Sequence, residues 1–265
     1  KYARAKDNST LLKAALLRAL DECDVVTIIA GSSAGEHDLT ADVVADTGEL
    51  LAHGIDAAKT RVIYNTVPHR DTEWRLRRPV PGRIIYVGQV IPPKGLDVLL
   101  DAVGLVVQQH GFDVTLDVVG AIDGWESPSY DGYREGIRRR ARGPDLVKRV
   151  RFLGHREDVP ALMADASVHC IPSRLEQKEG FTVVTLEAKR AGLPSVVTLS
   201  GALPEMVRHG VDGWVCPDVT PAAIAEGLLY FLSDPARARR AGDEALASER
   251  AYNRDRFAAA WAEVF

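Results

Sequence analysis

Cysteine is scarce in this 265-residue chain, and Cys23, Cys170 and Cys216 are odd in number, far apart and set in apolar, strand-like contexts. That pattern excludes a disulfide framework and is expected of buried, reduced thiols, which suits a cytoplasmic protein. Long apolar runs are missing as well: none approaches the roughly 20 residues a membrane span needs, and no secretory segment opens the chain. Charge of one sign is also lacking, because 33 Lys and Arg stand against 37 Asp and Glu for a net charge of -4. Such a balance provides no global basic field for nucleic acid. The basic clusters at Arg75, Arg77 and Arg78 and at Arg138, Arg139, Arg140 and Arg142 are local and lack interleaved aromatics. They read as solvated faces or a linker, with at most a weak peripheral contact to an anionic membrane surface. Internal repeats and low-complexity tracts are absent. The chain begins at Lys1 and not at a methionine, as expected of a fragment or a processed chain.

What is present is material for a core, 46% of the residues being hydrophobic, enough for one full domain and part of a second. Residues 11–20 predict a helix, residues 24–30 a buried strand, residues 31–35 a glycine turn, residues 42–53 a second helix and residues 60–64 another strand. Residues 65–82, rich in Pro and Arg, read as a linker. Strands are then expected at 83–87, 114–119, 150–152, 168–172 and 195–198, alternating with helices at 95–109, 130–142, 159–164, 181–191 and 204–208. A short strand follows the glycines of residues 209–218, and helices at 221–232, 235–248 and 254–265 close the chain. The fold class this predicts is α/β, a doubly wound, Rossmann-like parallel sheet with right-handed crossovers, preceded by a small partial α/β segment. The expected division is 1–64 for that segment, 65–82 for the linker, 83–248 for the main domain and 249–265 for a terminal helix.

The most informative run is Glu179-Gly180-Phe181-Thr182-Val183-Val184-Thr185-Leu186-Glu187, two carboxylates with seven residues between them across a loop-to-helix junction. It follows the carboxyl end of an expected strand, where open α/β sheets bind ligands. The amides of Phe181, Thr182 and Val183 at the helix start would meet a phosphate. Glu179 at the mouth and Glu187 two turns along could accept hydrogen bonds from sugar hydroxyls; the plainer alternative is a pair of ordinary surface acids. Gly88-Gln89-Val90-Ile91-Pro92-Pro93-Lys94-Gly95 joins the first strand of this domain to a helix, with Lys94 as a point charge for a diphosphate, or as the start of a helix in solvent. It is neither a Walker loop nor a G-x-G-x-x-G fingerprint. Ser200-Gly201-Ala202-Leu203-Pro204-Glu205 repeats the strand-loop-helix arrangement, so two successive loops are expected to line one rim.

Together with Phe152-Leu153-Gly154, Pro172-Ser173, Ala191-Gly192-Leu193-Pro194 and residues 210–217, these loops resemble the glycosyltransferases of family four, the glycosyl transferases group one, over about residues 60–265. The resemblance implies the donor-binding C-terminal domain of a GT-B fold: an enzyme that takes a nucleoside diphosphate sugar and transfers the glycosyl group with retention, with no metal and no cofactor. It further implies that Lys94 binds the donor diphosphate, Glu187 the ribose hydroxyls and Glu179 the donor sugar, with Gly88, Gln89, Gly180, Phe181, Thr182 and Val183 completing the site and Glu179 and Lys94 carrying the catalytic roles. Two departures stand out. Gln89 occupies a position where arginine is usual, with Arg83, Arg174 or Lys178 as expected substitutes, and Thr182 replaces a common glycine. Base selection is expected from the loops at Gly154-His155-Arg156 and Ser173-Arg174.

The front differs. Residues 56–67 look like the family's last N-domain strand and crossover, whereas residues 8–55 resemble a fragment of the molybdopterin-binding domain of the molybdopterin molybdenumtransferases, with Gly31, Ser32, Ser33, Gly35 and Asp38 as a phosphate loop. The alternative is a strand-to-helix turn that binds nothing. Three functions are therefore carried forward: a glycosyltransferase acting on an unidentified sugar, lipid or small-molecule acceptor; a catalytically incomplete nucleotide-sugar-binding module or chimeric scaffold; and a molybdopterin-binding fragment. An exposed face where an acceptor domain would pack could also drive homo-oligomerisation.

Overall fold

The computed structural model describes residues 63–66, 78–122, 130–177 and 179–263. The chain divides into two units, Lys1–Val62 and Ile63–Phe265, and every described residue belongs to the second. The elements expected before residue 60, the phosphate loop at Gly31, Ser32, Ser33, Gly35 and Asp38 among them, lie outside the described residues, as do Cys23, Arg75, Arg77, Lys178 and most of the linker.

Short β-branched runs build the sheet. Among the described residues β1 (Arg83–Val87), β2 (Thr115–Val119), β3 (Val150–Gly154), β4 (Val168–Ile171), β5 (Ser195–Val197) and β6 (Gly213–Val215) form one parallel sheet in the order β3-β2-β1-β4-β5-β6. Alternation along β1 sends Ile84 and Tyr86 into one core and Ile85 into another on the opposite face, the period of two expected of a strand. On the Ile84 side lie α1 (Leu96–His110), α2 (Asp131–Ala141) and, returning from later in the chain, α6 (Pro221–Leu232). On the Ile85 side lie α3 (Val159–Asp165) and α4 (Val183–Arg190). The short helix α5 (Leu203–Met206) packs with Ile171 and Leu186, α7 (Pro235–Glu249) lies against α4, and α8 (Arg254–Ala262) follows. Helices on both faces of a parallel sheet are the doubly wound architecture the sequence predicts. Strand order reverses between β1 and β4, so the loops leaving those two strands open into the crevice where such sheets hold ligands.

Cys170 on β4 and Cys216 after β6 are buried free thiols; burial pushes Cys170 upward and Cys216 up to about 12, which keeps both protonated. Several expected boundaries move. The two prolines of the loop after β1 set a 3-10 turn, Pro92–Lys94, closed by Gly95 in the left-handed region at φ 67, so α1 starts at Leu96. A side chain on Gly95 would overlap the Pro172 carbonyl oxygen, which ties this turn to the end of β4. The helix expected from Phe181 starts at Val183 instead, because Thr182 is extended and Phe181 is drawn into an aromatic cluster. The strand expected over 60–64 is not continued by residues 63–66, which have no regular structure. Their side chains bond across the fold, Tyr64 Oη donating to Glu205 Oε2 at 3.2 Å and Asn65 Nδ2 to the Phe181 carbonyl at 3.2 Å.

Candidate functional site

Two layers lie at the carboxyl end of the sheet. The inner layer is an ion pair across the switch point. Lys94 and Glu179, 85 residues apart in sequence, are 9% and 3% exposed. The Lys94 ammonium donates to both carboxylate oxygens, at 2.7 and 2.9 Å, and the Ser173 hydroxyl donates to Oε1. The backbone around Glu179 is fixed by the next loop: its N–H donates to Ser200 Oγ at 3.2 Å, and its carbonyl accepts from Ala202 N–H at 2.8 Å. Ser200 Oγ in turn donates to the Arg174 carbonyl at 2.9 Å. The two successive loops are therefore joined by hydrogen bonds. Glu179 does not stand at the mouth, as the sequence predicts, but behind it, because the buried charge of Lys94 requires a counter-charge.

The outer layer is a cavity of about 660 Å³. Residues 88–91 after β1, Gly120 and Ala121 after β2, residues 155–157 after β3, Arg134 from α2 and Glu187 from α4 line it. Its shape depends on close backbone approach, since a side chain on Gly120, at φ 147, would overlap the Gly88 carbonyl oxygen. Tyr86 Oη donates to the Gln89 carbonyl at 2.6 Å and holds the loop over the strand end. Glu187, 9% exposed and within α4, is among the residues that line this space. A half-apolar cleft of this size with a few convergent polar groups suits a ligand with a flat ring and hydroxyl groups. Among the described residues no group of three or more His, Cys, Asp or Glu side chains could hold a metal ion, and no helix is long and apolar enough to cross a membrane.

The loop between Glu179 and Glu187 is clasped from outside. The Phe181 ring lies 4.7 Å from Tyr64 and 5.1 Å from Tyr252, and those two tyrosines are 6.0 Å apart edge to face. Thr182 caps α4 with no side-chain bond to its amides; its hydroxyl bonds Thr185 Oγ1 instead. Gly180 is exposed, and a side chain there would meet no protein atom. Neither backbone strain nor packing inside the protein requires a glycine at that point.

The family model for glycosyl transferases group 1 matches residues 81–234, which include both layers of the site. The chain belongs to that family. A D-inositol 3-phosphate glycosyltransferase of Streptomyces scabiei is 30% identical over 86% of this chain and 53% of its own length. The chain spans about half the length of that curated relative, and less of others that it matches. Among solved structures, Anabaena Alr3699/HepE in complex with UDP-glucose superposes with a TM-score of 0.73 at 22% identity, covering 97% of this chain and 67% of that one. The C-terminal domain of a glycosyl transferase group 1 family protein (LpcC) from Francisella tularensis superposes at 0.55 with 19% identity, over 73% of this chain and 95% of that one. Both likenesses are likenesses of fold.

Within this group 1 domain, Lys94, Glu179, Gly180, Phe181, Thr182 and Val183 come together around the switch point, while Gly88, Gln89 and Glu187 line the cavity. Two expected substitutes for the missing arginine at 89 are elsewhere. Arg83 is at the opposite end of β1, 3.6 Å from Asp165 and 4.0 Å from Asp117. Arg174 is bonded to Asp97 Oδ2 at 2.5 Å and to the Pro92 carbonyl at 3.1 Å. Both are held by local counter-charges or carbonyls that the fold itself provides. The basic cluster on α2 is likewise engaged in part, Arg140 donating to Asp101 and, through two bonds, to Asp145. Sequence reasoning missed Arg134. The signal was present, because Arg134, Ile137 and Ala141 recur at helical spacing as the buried stripe of α2.

Proposed function

We propose that this chain carries the donor-binding half of a retaining, metal-independent glycosyltransferase that uses a nucleoside diphosphate sugar. The observation that carries the reading is the cavity at the carboxyl ends of β1, β2 and β3, with the buried Glu187 carboxylate inside it and the Lys94–Glu179 pair behind it. In this reading the base enters between Gly120 and residues 155–157, and Glu187 accepts hydrogen bonds from the ribose hydroxyls. The diphosphate lies over the loop that ends in Lys94 and before the first-turn amides of α4, where backbone N–H groups and the helix dipole favour negative charge. The open approach at Gly180 faces the sugar.

The chemistry breaks the bond between the anomeric carbon and the diphosphate oxygen and forms one to the acceptor oxygen. The electron pair departs on the nucleoside diphosphate, and the acceptor hydroxyl gives up its proton. Charge therefore develops on the leaving phosphate, where fixed donors stabilise the transition state more than the ground state. Lys94 is placed to supply that charge, and Glu179 sets its position. A carboxylate has about four acceptor sites; two bonds from Lys94 and one from Ser173 leave capacity on Oε2 for a sugar hydroxyl. Support for the donor class also comes from Anabaena Alr3699/HepE, described in complex with UDP-glucose.

Calorimetric titration with UDP, GDP, ADP and their sugars tests the reading. One nucleotide series is expected to bind, with Glu187→Ala weakening it roughly tenfold or more, and EDTA is expected to leave binding and transfer unchanged. Failure of every nucleotide to bind at millimolar concentration, or binding indifferent to Glu187→Ala, would overturn it.

A further inference from the structure

We propose that Arg174 is the positioning residue of the Lys94–Glu179 pair, a brace that fixes the Lys94 charge for the nucleotide phosphates and touches no ligand itself. The proposal rests on the donor-site reading above and adds to it a residue which that reading does not use. The turn that carries Lys94 offers few handles. Pro92 and Pro93 have no N–H, so at those two positions its backbone presents carbonyl oxygens alone to a neighbour. Arg174, 82 residues beyond Pro92, takes both: its N–H donates to the Pro93 carbonyl at 2.9 Å and its Nε to the Pro92 carbonyl at 3.1 Å.

The far end of the guanidinium is anchored in its turn. Nη2 donates to Asp97 Oδ2 at 2.5 Å, and Asp97 stands in the first turn of α1, just after Lys94 and Gly95. Tyr133 Oη, from α2, donates to the other oxygen of Asp97 at 2.9 Å and accepts from the Asp97 N–H at 3.2 Å, so the anchor is tied to a second helix. A planar fork with donors on several edges can span a carbonyl and a carboxylate at once, which the point charge of an ammonium does not do.

Arg174 also holds Glu179, through one intermediate. Its carbonyl accepts from Ser200 Oγ at 2.9 Å, and that hydroxyl oxygen accepts the Glu179 N–H at 3.2 Å. The turn bearing the ammonium and the backbone bearing the carboxylate are therefore both fastened to residue 174. The Arg174 and Asp97 side chains are 38% and 39% exposed, so their ion pair is screened and adds little stability. Its effect is on placement: an electrostatic group held in its productive geometry needs no reorganisation when charge develops on the leaving phosphate.

The test uses the full chain and whichever of UDP, GDP and ADP binds wild type most tightly, titrated beside its parent nucleoside. Arg174→Met removes the Nε and Nη2 bonds and keeps the backbone bond to Pro93; it is expected to weaken the diphosphate roughly three- to tenfold and to leave the nucleoside within about twofold. In a chain that already carries Lys94→Met and Glu179→Gln, the same substitution is expected to cost less than about twofold more, because a residue that acts through the pair then has nothing to position. Arg174→Lys, which keeps the charge, is the fold-safe variant and is expected to stay below wild type for the diphosphate alone. A full further loss in the Lys94→Met, Glu179→Gln chain would make Arg174 a direct phosphate contact, equal losses for diphosphate and nucleoside would make it a base contact, and wild-type diphosphate binding in either single variant would leave it no such role. Each of these overturns the assignment while the donor site stands. If wild type binds no nucleotide, the donor-site reading fails and takes this assignment with it.

Discussion

Among the described residues two lysine–carboxylate pairs are buried, and they do different things. Lys94 meets Glu179 at 2.7 Å, and Lys189 meets Asp212 at 2.9 Å. By distance and burial they are alike. Their surroundings separate them. Lys189 also donates to Ser248 Oγ at 2.8 Å, and Asp212 accepts from the Arg208 N–H and Nε at 2.8 and 2.9 Å, so this pair ties α4, the turn before β6 and α7 together. Burial alone would raise the Asp212 carboxyl, but the Lys189 charge and the bonds from Lys189 and Arg208 outweigh it and hold the group below the usual range. The Lys94 pair lies at the reversal of strand order, joins the loops that leave β1 and β4, and backs onto glycine-rich turns. A buried ion pair is weak evidence of function by itself; its place on the sheet decides what it can do.

The comparison breaks most visibly on removal of one partner. Asp212→Asn is expected to cost about 3–5 kcal/mol in urea unfolding, because Lys189 stays buried without its counter-charge, yet the nucleotide affinity of the folded fraction should hold within about twofold. A comparable drop in affinity would mean that the second pair also serves the site. Lys94→Met should cost stability for the same reason and lower nucleotide affinity roughly tenfold or more. Adding Glu179→Gln to it should recover stability and not affinity; recovery of both would reduce the Lys94 pair to a structural one.

His169 sharpens the contrast by showing a buried titratable group with no ion partner among the described residues. Desolvation lowers it to about 3, and its Nδ1 shares a 3.1 Å bond with Ser195 Oγ. The folded form resists protonation while the unfolded chain accepts a proton near the ordinary value, so this contribution to stability is whole above pH 6.5 and is lost as pH falls towards 3. Between pH 6.5 and pH 5 the loss is about 2 kcal/mol, and His169→Asn should flatten that limb of the pH–stability curve; an unchanged limb would show that His169 titrates normally. The smallest effect is expected at the clasp. Tyr252→Leu removes two aromatic contacts, worth about 0.5–1.5 kcal/mol, and should raise the KM for the sugar nucleotide while leaving affinity for the bare nucleoside unchanged.

The sheet was legible in the sequence because short β-branched runs alternated with helical stripes, and the strand starts moved by only a residue. The loops that bear Lys94, Glu179 and Gly201 were legible too, each following an apolar strand. That Lys94 and Glu179 touch was not, since the contact depends on β1 and β4 being neighbours, which periodicity does not report. Gly180 and Phe181 were read as a helix start; the aromatic contacts to Tyr64 and Tyr252 come from segments more than 70 residues away in either direction and override local preference. Arg134 was passed over because its neighbours Arg138, Arg139, Arg140 and Arg142 suggested a solvated face, although its spacing to Ile137 marked it as buried.

The most direct measurement is a crystal structure of the chain with a bound nucleoside diphosphate. The account predicts ribose hydroxyls within hydrogen-bond distance of Glu187, the base between Gly120 and residues 155–157, and the phosphates over the loop from Gly88 to Lys94. A nucleotide bound elsewhere, or one in this cavity with its ribose turned away from Glu187, would contradict it.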